Sequence, residues 1–253
     1  MSHAHASLDR EVPTVVLLHG VGLDHTMWEP VIARVRDGGL RVVAPDLPGH
    51  GSRSAVADGI TLADLADDVA GQVPAGSHLV GFSLGALVAQ HLALHRPELV
   101  RTLTSVSSVC RRTPEERSSV LARLRAAESD FGASAAASLE RWYAGTDVDP
   151  AVVEQTRATL TANDPGSFLA CYRVFATADA DLGPRLGEIR VPALAVTGEQ
   201  DPGSTPAMTR RLAAALPHCR AVLVPGARHM LPLQTPDQLA HHLTTFIGED
   251  AHV

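Results

Sequence analysis

The chain has 253 residues, 45% hydrophobic and 19% charged, a composition suited to one soluble globular domain with a substantial core. A net charge of -7 argues against nucleic acid or an anionic membrane as partner, and no apolar run reaches the roughly 18 residues of a membrane span. The start, Met1 to Ala6, lacks a signal-peptide core, and Cys110, Cys171 and Cys219 have the wide spacing of free thiols rather than metal ligands, so a cytoplasmic protein is expected.

Thr14 to Leu18 is a β-branched and leucine run, closed by His19-Gly20-Val21-Gly22, and predicts a buried strand ending in a loop. Trp28 to Arg36 follows as an amphipathic helix, and Leu40 to Ala44 as a second strand. The next stretch, Pro45 to Ser52, is rich in turn residues. Leu62 to Gln72 predicts a helix whose wet face carries Asp64, Asp67 and Asp68.

Then comes His78-Leu79-Val80-Gly81-Phe82-Ser83-Leu84-Gly85-Ala86, an apolar strand, a Gly-x-Ser-x-Gly turn and an alanine-rich helix. A strand that turns this abruptly forces Ser83 into a strained backbone conformation. The helix start brings unpaired N–H groups and positive dipole to the same point, as a serine nucleophile needs. Pro97 ends that helix near His95. Val100 to Val106 is the fourth strand, so the pattern means a parallel sheet with helices on both faces.

From Cys110 to about Gly187 only helical stretches follow: Pro114–Ser129, Ala133–Tyr143, Pro150–Ala162 and Gly166–Ala178. The final part reads strand (Pro192–Thr197), helix (Pro206–Leu216), strand (Ala221–Val224) and helix (Pro236–Phe246). The predicted division is a core of residues 1–109 and 188–253 with a helical cap of residues 110–187.

A serine needs a base to take its proton, and the base needs an orienting acid. In an open α/β sheet these groups sit on loops leaving the carboxyl ends of strands. Of thirteen histidines, His229 occupies such a loop; His91, His95, His241 and His242 fall inside helices, His218 ends one, and His3, His5 and His252 lie at the chain ends. Asp201, in Gly198-Glu199-Gln200-Asp201-Pro202, is the candidate acid, with Glu199 the runner-up. Ser107-Ser108-Val109, after the fourth strand, offers no carboxylate. The oxyanion hole would use the N–H groups of Leu84 and Val21. Bracing roles are expected for His19 and His50.

In combination these motifs resemble the α/β-hydrolase superfamily: His19-Gly20, Asp46 to Gly51, Gly81 to Gly85, Gly198 to Asp201 and Gly226 to His229 stand in the expected order. Within it the chain is similar to the 3-oxoadipate enol-lactonase group, through Val21 to Asp24, Met27-Trp28, Arg141-Trp142-Tyr143, Asn163 to Phe168, Cys171-Tyr172 and Asp181-Leu182. Where those enzymes often carry Asn-Ser, this chain has His19-Gly20. The resemblance implies an α/β-hydrolase fold with about six mostly parallel strands and a cap inserted before the last two. It implies a cofactor-free, metal-free serine hydrolase of a small ester or lactone, with a triad of Ser83, Asp201 and His229. Trp28, Trp142, Tyr143, Phe168 and Tyr172 would line the substrate pocket, and if the substrate is an acidic lactone Arg141 or Arg173 would grip its carboxylate. A small molecule is the expected partner, and a homodimer is left open. The alternatives are a general carboxylesterase or thioesterase, a C–C bond hydrolase of the meta-cleavage type, and a ligand receptor on the same fold.

Overall fold

The computed structural model describes residues 12–250, so the expectations for Met1–Ala6, His3, His5 and His252 lie outside it. The core alternates strands β1 (Thr14–Leu18), β2 (Arg41–Val43), β3 (Ser77–Phe82) and β4 (Val100–Val106) with helices α1 (Glu29–Asp37), α2 (Leu62–Ala70) and α3 (Leu84–His95). Helices α4 (Pro114–Ser129), α5 (Phe131–Tyr143), α6 (Pro150–Thr161), α7 (Pro165–Thr177) and α8 (Asp179–Arg185) follow. The chain closes with β5 (Ala193–Gly198), α9 (Pro206–Ala215), β6 (Cys219–Val224), α10 (Leu231–Gln234) and α11 (Pro236–Asp250).

The six strands form one sheet in the order β2-β1-β3-β4-β5-β6, and every pairing is parallel. Each residue of β3 and β5 is buried, so both faces of the sheet centre are covered. Helices α1 and α11 pack on each other, α2 packs on α3, and α3 lies against β3 and β4. Because α3 is enclosed, it is apolar almost all round. Its one fully buried polar side chain, Gln90, donates to the hydroxyls of Ser105 (3.1 Å) and Ser108 (3.0 Å).

Three of the helices between β4 and β5, α4, α6 and α7, begin where the chain offers a capping side chain before proline. Thr113, Asp149 and Asp164 each accept a backbone N–H of the first turn, with Pro at the next position. Several contacts hold this segment to the sheet's loops. The Asn163 amide donates to the Gly22 carbonyl at 2.9 Å, and the Ser167 hydroxyl accepts from the Val56 N–H at 3.1 Å. Within the segment lies a buried ion pair, Arg112 Nη1 to Asp179 Oδ1 at 2.6 Å, with the Arg112 guanidinium lying over the Phe175 ring. Burial holds the Arg112 pKa below the ordinary arginine range, and the facing Asp179 works against that loss.

Removing one member of such a pair strands the other charge in the interior. Asp179→Ala is expected to cost about 3–5 kcal/mol, whereas Arg112→Met with Asp179→Leu should cost much less. Urea titrations of the two variants check this, and equal losses would refute the stranded-charge account.

Candidate active site

At the end of β3 the chain enters α3 through Ser83, whose φ of 53° and ψ of -109° mark a strained junction. The bend is fixed by its neighbours. The Ser83 N–H donates to the Val106 carbonyl at 2.9 Å, and the Gly85 N–H to the His19 carbonyl at 3.1 Å. No side chain fits at either flanking glycine. A Cβ on Gly81 would lie 2.2 Å from the Gly85 carbonyl oxygen, and one on Gly85 would lie 2.3 Å from that of Leu18. Gly85 spends its N–H on His19, and Leu84 is the first residue of α3, where N–H groups have no intrahelical partner.

The loop after β5 brings in Asp201, which is 3% exposed. Its Oδ1 accepts the N–H groups of Gly203 (2.8 Å) and Ser204 (2.9 Å). Its Oδ2 lies 2.7 Å from His229 Nδ1, on the loop after β6. A carboxylate at Nδ1 selects the tautomer with the proton there and leaves Nε2 as an acceptor. The His229 ring packs against Phe82 and stacks with Trp142 at 5.8 Å. Its carbonyl accepts the Ser107 hydroxyl at 3.0 Å; Ser107 itself is fully buried with φ of 47°. Glu199, the other acid considered, is exposed.

Ser83, Asp201 and His229 line one cavity at the carboxyl end of the sheet. Val21, Trp142, Phe168 and Tyr172 share its wall. Two residues expected in the pocket lie elsewhere. Trp28 is fully buried and meets Phe82 edge-on, and Tyr143 is turned into the helical segment, where its hydroxyl meets that of Thr156 at 2.9 Å. Arg141 reaches the cavity, but Arg173 faces outward and pairs with Asp58 and Glu128.

Leu160, Phe175 and Arg123 also line the cavity, and the sequence reading missed them. Phe175 had a signal. It stands three residues after Tyr172 and seven after Phe168, on one helical stripe, and the three rings form a stack of contacts.

His19 braces the loops beneath. Its Nδ1–H donates to the Gly20 carbonyl at 2.8 Å, while Nε2 accepts the Leu47 N–H at 2.9 Å. Burial, and then repulsion from His50, push its pKa down to about 3, so the ring stays neutral. His50 packs edge-on against it and hydrogen-bonds the Pro48 carbonyl through Nδ1. Asp46 accepts both the N–H and the Nδ1–H of His25, which fixes the turn from residue 45 to 52. Among the described residues, no group of three His, Cys, Asp or Glu side chains is placed to hold a metal ion. No helix there is long and apolar enough to cross a membrane.

A parallel sheet of this order, with a serine at the strand-to-helix elbow and a His–Asp contact on the last two strand loops, defines a hydrolase class. The chain belongs to the alpha/beta hydrolase family, whose model matches residues 15–242. It is 29% identical over 240 residues to the (E)-2-((N-methylformamido)methylene)succinate hydrolase of Acinetobacter baylyi, covering 93% of this chain and 90% of that one. It is 30% identical over 245 residues to the pimeloyl-[acyl-carrier protein] methyl ester esterase of Aeromonas hydrophila, covering 93% and 96%. Among solved structures, the enol-lactonase from Burkholderia xenovorans LB400 superposes with a TM-score of 0.85 at 27% identity, covering 94% of this chain and 92% of that one.

Proposed function

We propose that this chain is a serine hydrolase of small carboxylic esters or lactones that carry a carboxylate. The observation that carries the reading is the 2.7 Å contact of His229 Nδ1 with buried Asp201, on the wall of the cavity that Ser83 also lines.

Ser83 Oγ adds to the carbonyl carbon, and its proton passes to His229 Nε2. The negative oxygen of the tetrahedral intermediate rests on the N–H groups of Val21 and Leu84. The C–O bond then breaks, and the leaving oxygen takes the proton from Nε2. Water adds to the acyl-enzyme, losing its proton to Nε2, and Ser83 departs with that proton. Asp201 stays ionised throughout, holding the imidazole tautomer and stabilising the imidazolium.

The segment from residue 110 to 187 acts as a cap that selects the substrate. Trp142, Phe168 and Tyr172 supply an apolar roof. Arg141 supplies a cation for a substrate carboxylate; its own donations go to neutral groups, the Ala137 carbonyl at 3.1 Å and the Ser138 hydroxyl at 2.8 Å. The named chemistry of the relatives, an enol-lactonase, a methyl ester esterase and a substituted-succinate hydrolase, supports this class of substrate.

The test is a panel of p-nitrophenyl esters, lactones and enol-lactones, with fluorophosphonate labelling read by peptide mass spectrometry. Turnover of part of the panel and a single adduct on Ser83 are expected. An adduct on another serine, or no turnover at all, would sink the reading. On the same panel, Trp142→Ala should reorder kcat/KM, because one lost pocket contact changes discrimination by roughly 1–3 kcal/mol. An unchanged ranking would return Trp142 to a packing role.

A further inference from the structure

We infer that the substrate carries two carboxylates, one held by Arg141 inside the cavity and a second held by Arg123 at its mouth. This deepens the hydrolase reading and rests on it. Arg123 and Arg141 both line the cavity, and among the described residues neither forms an ion pair with a carboxylate. Arg123 donates only to the Ser119 hydroxyl, at 2.9 Å, and Arg141 to the neutral groups named above.

The surrounding helices are not short of acids. Arg112 and Arg117 meet Asp179, Arg157 meets Glu154, and Arg173 meets Asp58 and Glu128. Two guanidinium groups are instead left facing one cavity, half-buried and close enough to repel each other. Burial and then the charge of Arg123 hold the Arg141 pKa below the ordinary arginine range. An anion between or beside them relieves both costs, and a guanidinium fork matches a carboxylate with two parallel hydrogen bonds.

The positions point to two separate anions rather than one. Arg141 stands beside Trp142 and lines this cavity but not the groove outside it. Arg123, with Pro202 and Gly203, borders both this cavity and a neighbouring outer groove. That groove continues to Glu115 and Glu116. Glu116 is neutralised by Arg211 at 2.6 Å, and exposed Glu115 repels an anion that strays further out. A carboxylate on the substrate's outer end therefore stops at Arg123.

The test keeps the leaving group constant and adds carboxylates to the acyl part: p-nitrophenyl butyrate, mono-p-nitrophenyl glutarate and mono-p-nitrophenyl tricarballylate. For wild type, kcat/KM should rise in that order. Arg123→Gln should raise the KM ratio of tricarballylate to glutarate about tenfold, the size expected for one charged hydrogen-bonding contact. Arg141→Gln should instead raise KM for both acids relative to butyrate, and Arg123→Lys, which keeps the charge and loses the fork, should fall between wild type and Gln. A wild type that does not favour tricarballylate, or an Arg123→Gln variant that weakens both acids equally, would overturn the second site. A separate arm needs no turnover: calorimetry on Ser83→Ala with the intact mono-p-nitrophenyl esters of tricarballylate and glutarate should show the ester with two free carboxylates binding at least tenfold tighter. Equal binding there overturns the proposal, whereas Ser83-independent hydrolysis of the butyrate ester overturns the serine mechanism instead.

Discussion

Ser83→Ala should lower kcat on a p-nitrophenyl ester by about 10⁴- to 10⁶-fold while the protein stays folded. The size follows from the role. Without the hydroxyl no acyl-enzyme forms, and only binding and the oxyanion donors act on water attacking the ester directly. Folding should survive because the backbone of the elbow, not its side chain, makes the structural contacts. The Ser83 N–H bond to Val106 and the Gly85 bond to His19 both persist in an alanine variant. The side chain is 4% exposed and lines the cavity, so losing one oxygen leaves no strained neighbour. Alanine inherits the positive φ that serine already tolerates, at a cost of order 1–3 kcal/mol present in both proteins. Matched kinetics and thermal melts decide the point. A well-folded Ser83→Ala protein with turnover near that of wild type would remove serine chemistry from this site.

The parts of the fold that the sequence makes legible are those where local chemistry and tertiary role agree. β1 and β4 end where they were expected because each is a run rich in β-branched residues and bounded by punctuation. Helices α4, α6 and α7 are visible through their Thr-Pro and Asp-Pro starts. The elbow is visible because two glycines are needed where backbones cross at little more than 2 Å from a would-be Cβ. Helix α8 is hidden because Gly183 and Pro184 sit inside it, and α10 because it is four residues long with a proline in its first turn. The beginning of β6 is hidden because it is an edge strand with exposed residues.

Side-chain direction is less legible than element type. Trp142 and Tyr143 are neighbours on α5, so about 100° of helix rotation separates them. Tyr143 falls on the buried stripe with Ala135 and Leu139, and Trp142 turns to the cavity. Which of the two faces the cavity depends on how α5 docks against α4 and α6, and no local pattern carries that. Arg123 is a harder case. It lies among several arginines on α4, and only the approach of the β5 loop makes it part of a cavity wall.

The acid is where local sequence left two choices, Glu199 and Asp201, and where a variant pair separates them most sharply. Asp201→Asn should lower kcat about 10⁴-fold at neutral pH. The amide can still accept the N–H groups of Gly203 and Ser204 through its oxygen, so the loop after β5 keeps its shape. Its NH₂ group then faces His229 Nδ1, where Oδ2 stood at 2.7 Å. A donor at that point selects the tautomer with the proton on Nε2, and the nitrogen that should receive the serine proton is already occupied. The imidazolium formed later also loses its buried counter-charge, which adds to the barrier in a low-dielectric site. Glu199→Gln removes an exposed carboxylate from the same loop and should change kcat by less than about threefold, the size of a surface charge change. Steady-state kinetics on both variants, with far-UV circular dichroism to establish folding, give the ranking. A large loss in Glu199→Gln beside a mild one in Asp201→Asn would transfer the orienting role to Glu199. It would also mean that the 2.7 Å contact only packs the loop.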